Sequence, residues 1–499
     1  MSLRFKRHYP LLLLLIGVLA FLTLALGNQR IIAYTTQTSR QGVRKSAINY
    51  TNAVALFDST LVHRIQILMS DDDYEQMITT YRQTGVKNYF HADVIIDGVR
   101  VNDVGIRLKG NASLRTALGR GGGGMPGGGQ PPAGGNQPPA DGGRAPFGPR
   151  NAPPGLPGGG ARQELPQGAA PAGWGQTSGT TKLPFMIKFD KFVSGQTYQG
   201  YSALAIRTYG TSSDAAMLQE PVTNDVFHLI GLPATQTAYV GVRLGDEAEQ
   251  LYTISEIIDE TYLARHFSNA NGVLYKAELG SSLSYQGEDP SSYAKSFTQQ
   301  TRVNDADMAP LITFIRFLSQ SDDATFESEL PDYLDVDAFA AYLAVNNLLV
   351  NTDSIAGMNN NYYLYYDDVA QRFTLLMWDA NESLGKLGGG NRGATFDLYY
   401  QNQQTMRGPG GGQNTLVKRF LANSTFKALY ERKLRQIYQQ AFVSGAITRQ
   451  VEQYAALIHR ANAGRNLVVL ENYDQAAAQV KTFLSQRTEF LKTTSLLGQ

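Results

Sequence analysis

The chain has 499 residues, 42% of them hydrophobic, with a formal net charge of +1 and no cysteine. Its even charge excludes the basic field of a nucleic-acid binder, and the length suits one large domain or two ordinary ones. Without thiols there are no disulfides, cysteine-bound zinc or thiol nucleophiles, which also suits an oxidising compartment. Six histidines lie scattered with no HExxH, so any chemistry falls to carboxylates, lysines and amides.

In residues 1–30, Arg4, Lys6, Arg7 and His8 precede an uncharged run from Leu11 to Leu26. The run reads as a transmembrane anchor entering N-in, or as a signal segment cleaved near Ala25-Leu26-Gly27. Either way the body of the protein is expected outside the cytoplasm, at the cell membrane on a single span or secreted. Residues 31–58 read as a polar linker.

Val62–Met69 reads as a strand, and Asp71, Asp72 and Asp73 open a short helix, where carboxylates suit the positive helix end. Two short strands flank the Asp97-Gly98 turn, and a further strand runs from Val104 to Lys109. Residues 119–180 are dominated by Gly, Pro, Ala and Gln, with no Val or Ile. Such a stretch buries too little to offset its ordering entropy and reads as a disordered insertion inside a domain.

Structure resumes at Leu183-Pro-Phe-Met-Ile-Lys-Phe, where period-two alternation puts Met186 and Lys188 on one face. A helix capped by Ser213-Asp214 ends at Gly231-Leu-Pro233, with Pro221 either kinking it or marking its true start. Strands follow at Thr237–Leu244 and Leu251–Ile257, then helices at Met308–Ser319 and Val336–Leu349. A second hairpin joins Tyr362–Tyr366 to Phe373–Trp378, and from Leu416 onward the chain looks helical. The fold class is therefore α+β and two-lobed, β-rich first and mostly helical after.

The densest polar segment runs from Asn351 through Asp353 and Asn359-Asn360-Asn361, ahead of the second hairpin. That hairpin ends at Trp378-Asp379-Ala-Asn381-Glu382. Because a hairpin returns its ends to one place, Asp353, one asparagine and Asp379 are expected to converge. Phosphoryl transfer needs such a trio: one carboxylate for the acceptor's proton, and a carboxylate with an amide oxygen for Mg²⁺.

In ordered motifs the chain resembles the CotH kinases of bacterial spore coats. The motifs are Gly105-Ile-Arg107-Leu-Lys109-Gly-Asn111-Ala-Ser113, Phe185-Met-Ile-Lys188-Phe, Asp214 to Glu220 leading to Gly231, Tyr252-Thr-Ile-Ser-Glu256, Asn351 to Tyr365, and Trp378-Asp379. The resemblance covers about residues 60–390 and implies an atypical protein-kinase-like fold. Its N-lobe would span 59–258, around the 119–180 insertion. Its C-lobe would span 259–499, with the catalytic loop and C-terminal helices. It implies Asp353 as the catalytic-loop aspartate, Asp379 as the metal-binding aspartate and Asn361 as the metal-loop asparagine. Because the loop is longer than usual for the family, Asn359 or Asn360 is an alternative ligand. Lys188 would meet ATP phosphates and pair with Glu220, Arg107 and Lys109 would assist, and the backbone at Glu256-Ile257 would face adenine. Asn381 departs from the family's second aspartate.

The resemblance thus implies ATP with Mg²⁺ or Mn²⁺, and a protein substrate offering Ser or Thr. The alternatives are a non-catalytic envelope scaffold or adhesion protein, or a kinase of a glycan or small molecule.

Overall fold

A computed structural model describes residues 48–110, 114, 117–118, 182–208, 216–386, 390–400 and 414–498. Within these, the first half reads β1 (Asn49–Tyr50), β2 (Val62–Leu68), α1 (Asp71–Thr84), β3 (Phe90–Ile96), β4 (Val99–Leu108), β5 (Phe185–Lys188), β6 (Thr197–Tyr198), β7 (Ala203–Thr208), α2 (Gln219–Leu229), β8 (Thr237–Leu244) and β9 (Gln250–Glu256). Seven strands close into a barrel in the order β2-β3-β4-β5-β7-β9-β8. Neighbours pair antiparallel except at the closing seam, where β2 and β8 run parallel.

Alternation explains the barrel core. Ile65, Ile67, Val94, Ile96, Phe185, Ile187, Leu204, Ile206, Val240 and Ile254 all point inward and are buried together. The Asp97-Gly98 turn has φ 47° and 87°, the left-handed pair that a two-residue hairpin demands. The two strands expected after it are one ten-residue strand, β4. A register shift between Ala92 and Val94 on β3 accommodates the irregularity that suggested a break. Helix α1 begins where Ser70 Oγ accepts from the Asp73 amide, and ends at Gly85 with φ 78°.

The expected caps of the next helix, Ser213 and Asp214, lie outside the described residues. Helix α2 is described from Gln219, with Pro221 in its first turn, so the proline marks a start and not a kink.

The second half comprises α3 (Glu260–His266), β10 (Val273–Ala277), β11 (Phe297–Gln299), α4 (Ala309–Gln320), α5 (Asp323–Tyr333), α6 (Val336–Leu348), β12 (Tyr362–Asp367), β13 (Arg372–Met377), α7 (Thr415–Ala422), α8 (Ser424–Ile437), α9 (Ala446–Asn462) and α10 (Leu470–Thr493). It is less purely helical than expected. The β12–β13 hairpin forms part of a four-stranded antiparallel sheet, order β11-β10-β12-β13. Its first two strands are too short and irregular in pattern to announce themselves.

A second large core joins this sheet to the helices. Helix α6 is buried from Phe339 to Leu348 on every side, as befits a central helix. Behind it lies Arg487 of α10, 0% exposed. Its guanidinium donates to the carbonyls of Asn347, Leu348, Ala394 and Phe396 and to Asn347 Oδ1. These bonds fix the end of α6 just before the Asn351 loop.

The fold class is mixed α+β. Among the described residues no helix is long and apolar enough to cross a membrane. The expected membrane segment at 1–30, residues 31–47 of the expected linker and the 119–180 insertion lie outside the described residues, whereas 48–58 of the linker are described.

Candidate active site

Helix α6 ends at Leu348, and Val350 follows at φ 51°, an unusual conformation for a β-branched residue. Asn359, Asn361, Asp379 and Leu384 also have positive φ (52°, 51°, 53° and 57°). With Gln371 (φ 55°) in the β12–β13 turn, six such non-glycine residues fall between 350 and 384, and the five outside that turn mark a segment held in a costly shape by its surroundings, a frequent feature of functional sites. Gly357 belongs to the same loop. A Cβ there would stand 1.8 Å from the Thr352 carbonyl oxygen, so only glycine lets the chain cross itself.

The loop brings Asp353 to the rim of the four-stranded sheet. Asn360 Nδ2 donates to its Oδ1 at 2.9 Å and Asn361 Nδ2 to its Oδ2 at 2.8 Å. Asn361 Nδ2 also reaches the Asp379 carbonyl at 3.3 Å. Asn361 thereby links the loop to the end of β13, and its carboxamide oxygen takes no part in these bonds. Burial, and then the nearby charges of Asp379 and Glu382, raise the Asp353 carboxyl to about 7, against the pull of Asn360 and Asn361. A carboxylate so poised exchanges a proton readily near neutrality.

The outer face of the barrel lies opposite. The strand register places Leu108 beside Phe185 and Phe185 beside Ile206, and the Lys109 amide bonds the Pro184 carbonyl. Lys109, Pro184, Arg207 and Thr253 therefore form one row across the sheet. From this row Arg207 Nη1 reaches Asp379 Oδ1 at 2.5 Å, and Arg207 Nε reaches Glu220 Oε2 at 3.1 Å. Glu220, 3% exposed in the first turn of α2, also accepts from Ser255 Oγ at 3.4 Å. Thr223 and Ser383 hydroxyls bond at 2.7 Å, and Ser383 Oγ donates to the Gln219 carbonyl. These bonds pin the start of α2 to the turn after Asp379.

The electrostatics are those of a dense charge cluster. Burial opposes the charge on Asp379, but Arg207 and Lys109 outweigh it and hold the carboxyl below its ordinary range. Burial raises Glu220 despite Arg207. Burial and the repulsion of Arg207 bring the Lys109 ammonium down to about 7, with Asp379 and Glu220 opposing. Trp378 lies between the two halves of the cluster. Lys109 Nζ is 5.1 Å and the Arg207 guanidinium 4.9 Å from its ring centre.

Several expected residues stand elsewhere. Lys188 does not meet Glu220. It lies in the row Gly105–Lys188–Ala203, four residues along β5 from Pro184, or about 13 Å at the usual strand rise. Its side chain is 38% exposed and pairs with Asp190 at 3.1 Å. Arg207 takes the partnership assigned to it. Asn359 is also turned away, because its carboxamide oxygen accepts from Asn414 and its carbonyl from Ser281. Arg107 lies over the Tyr89 ring and donates to its neighbour's carbonyl at Leu108. The Glu256 side chain is wholly buried, accepts from the Gln236 amide and pairs with Arg265. These contacts hold the point where β9 ends and the chain leaves the barrel.

Three residues escaped sequence reasoning: Arg207, Asn360 as a direct partner of Asp353, and Glu382 as a nearby charge. Arg207 shares the outer face of β7 with Ala203 and Ala205. That alternation with Leu204 and Ile206 was the signal available.

Among the described residues no three carboxylate, histidine or cysteine side chains form a metal cage. Two carboxylates, an uncommitted amide oxygen and two cations instead match a metal ion held partly by phosphate oxygens.

Comparison with known proteins agrees with the ordered motifs. The inner spore coat protein H of Bacillus subtilis (strain 168) is 23% identical over 309 residues, covering 60% of this chain and 80% of the relative. The crystal structure of a Helicobacter pylori proinflammatory kinase, CtkA, aligns at a TM-score of 0.28 and 12% identity, over 58% of this chain and 91% of that one. The model of the CotH kinase protein family matches residues 173–491, a span holding Arg207, Glu220, Asp353, Asn361 and Asp379, so the chain belongs to the CotH kinase protein family.

Proposed function

We propose that this protein is an ATP-dependent kinase that moves the γ-phosphate to a Ser or Thr hydroxyl of an envelope or secreted protein. The observation that carries the reading is the meeting of Asp353, Asn361 and Asp379 beside Lys109 of the barrel. A two-lobed kinase-like layout follows, with the barrel at 59–258 as one lobe and 259–499 as the other. The barrel's own core supports the first lobe, while the larger core reaches across that boundary and takes in α2 through Val222, Val226 and Phe227.

In this reading Asp353 accepts the proton of the attacking hydroxyl as its oxygen bonds to the γ-phosphorus, and the bond to the β–γ bridging oxygen breaks to leave ADP. Asp379 and the Asn361 carboxamide oxygen hold a divalent metal, Mg²⁺ or Mn²⁺, which when bound neutralises charge on the phosphates. Lys109, kept partly dry against Trp378, faces the phosphates. Asn360 and Asn361 hold both Asp353 oxygens in place. The backbone at Glu256-Ile257 remains the expected adenine edge.

Placement outside the cytoplasm is supported by the basic and apolar segment at 1–30 and by the coat protein that the chain resembles. Fractionation of cells expressing the full chain checks it. For the chemistry, purified protein is incubated with labelled ATP and Mn²⁺, and Asp353→Ala is run beside it. Transfer to protein by wild type, abolished in a folded Asp353→Ala, is the expected result. Wild type that neither transfers label nor gains thermal stability from Mn²⁺-ATP refutes the reading and leaves a scaffold.

A further inference from the structure

Arg207 spends its donors unevenly. Nη1 donates to Asp379 and Nε stands 3.1 Å from Glu220 Oε2 as an ion-pair contact without hydrogen-bond geometry, whereas Nη2 is buried with no hydrogen-bond acceptor among the described residues. An arginine nitrogen buried without an acceptor is costly, and here the guanidinium packs on a tryptophan ring that a second cation shares. A ligand bearing several anionic oxygens would satisfy it.

The two ends of the bridge are not equivalent. The Glu220 side chain is 4% exposed and, among the described residues, has only the long bond from Ser255 besides Arg207. Pulling Arg207 from it would strand a buried charge. The Asp379 side chain is 28% exposed, and Lys109 and Lys276 also favour its charge. The Asp379 end is the one that opens at lower cost.

We propose that Arg207 is a nucleotide-responsive clamp. In the empty protein it covers Asp379 and competes with metal binding there. Arriving phosphate oxygens draw the guanidinium away, pivoting on Glu220, and free Asp379 for the metal. Metal and nucleotide then bind cooperatively, while either alone binds weakly. A lysine could not do this, because its point charge cannot span two carboxylates in fixed geometry and still present a third donor. The inference rests on the kinase reading and adds to it an order of assembly.

The test measures Mn²⁺ binding by the loss of the free-ion paramagnetic resonance signal, with and without ATP, on the full chain. Wild type is expected to take Mn²⁺ weakly alone and on the order of tenfold or more tightly with ATP, a coupling in the usual range for linked sites. Arg207→Met should bind Mn²⁺ alone more tightly than wild type does and lose most of the ATP coupling. Because that variant leaves Glu220 unpaired, Arg207→Met with Glu220→Gln is made beside it and should behave the same way. If wild type shows the coupling and the folded double variant keeps it, with Mn²⁺ affinity unchanged, the clamp is overturned and the kinase reading stands. If wild type binds no Mn²⁺-ATP at all, both fall.

Discussion

Replacing Arg487 with methionine removes a cation that five acceptors share. Its neighbours are four backbone carbonyls and the Asn347 side-chain oxygen, at 2.5–3.3 Å. Burial works against the charge and lowers the guanidinium to about 10, so the residue costs energy to hold and returns it through these bonds. Each acceptor left dry costs roughly 1–3 kcal/mol, and relieving the buried charge gives several kcal/mol back. Methionine fills the space without donors, so a net loss of about 3 kcal/mol is expected. Arg487→Lys, with three donors, should recover only part of it. Urea unfolding followed by tyrosine and tryptophan fluorescence measures the change at constant m-value. A methionine variant as stable as wild type, or more so, would show that the dry carbonyls find water or other partners. The view of Arg487 as the fastening of α6 would then be wrong.

Three further expectations test separate parts of the structure. Gly357→Ala forces a Cβ onto the Thr352 carbonyl, so ATP-dependent transfer should fall at least tenfold through misplacement of Asp353, with a stability loss of about 1–3 kcal/mol; full activity would mean that the loop can move aside. Arg265→Met strands the wholly buried Glu256 and should cost about 3–5 kcal/mol, largely rescued by adding Glu256→Gln in a double-mutant cycle. Burial raises the Asp225 carboxyl to about 6 despite the Tyr454 hydroxyl bond. The protonated form is favoured in the fold, so its contribution is present below pH 4 and lost as pH climbs through 6. Asp225→Asn should therefore gain on wild type between pH 5 and 7.5 by about 1–1.5 kcal/mol, and parallel pH profiles would refute the shift.

The barrel was legible where burial is one-sided. Strand alternation located β2, β5 and β8, and Asp97-Gly98 announced its own turn. The meeting of Asp353 with Asp379 followed from a hairpin returning its ends. Which cation would face them did not follow, because strand membership alone says nothing of registration between strands distant in sequence. Lys188 and Arg207 both project from the outer face. Only the pairing of β5 with β4 and β7 shows that they stand in different rows. The choice between Asn359 and Asn361 was similarly hidden. It depends on Asn414, more than fifty residues away, and on two left-handed backbone positions that asparagine tolerates equally well.

The antiparallel pairing of Leu108 with Phe185 has a consequence for how this protein can vary. The chain departs β4 and re-enters β5 at nearly the same spot, so beyond Leu114, Leu118 and Leu183, which are buried in the barrel core, the intervening residues are topologically the tip of one hairpin. Lengthening a tip from a tight turn to this size costs only about 2–3 kcal/mol in closure entropy. Evolution can therefore splice, trim or exchange material at that port without disturbing strand order, directly beside the lysine at the cleft edge. A surface for wall attachment or substrate capture could be swapped there as a cassette while the barrel beneath stays the same.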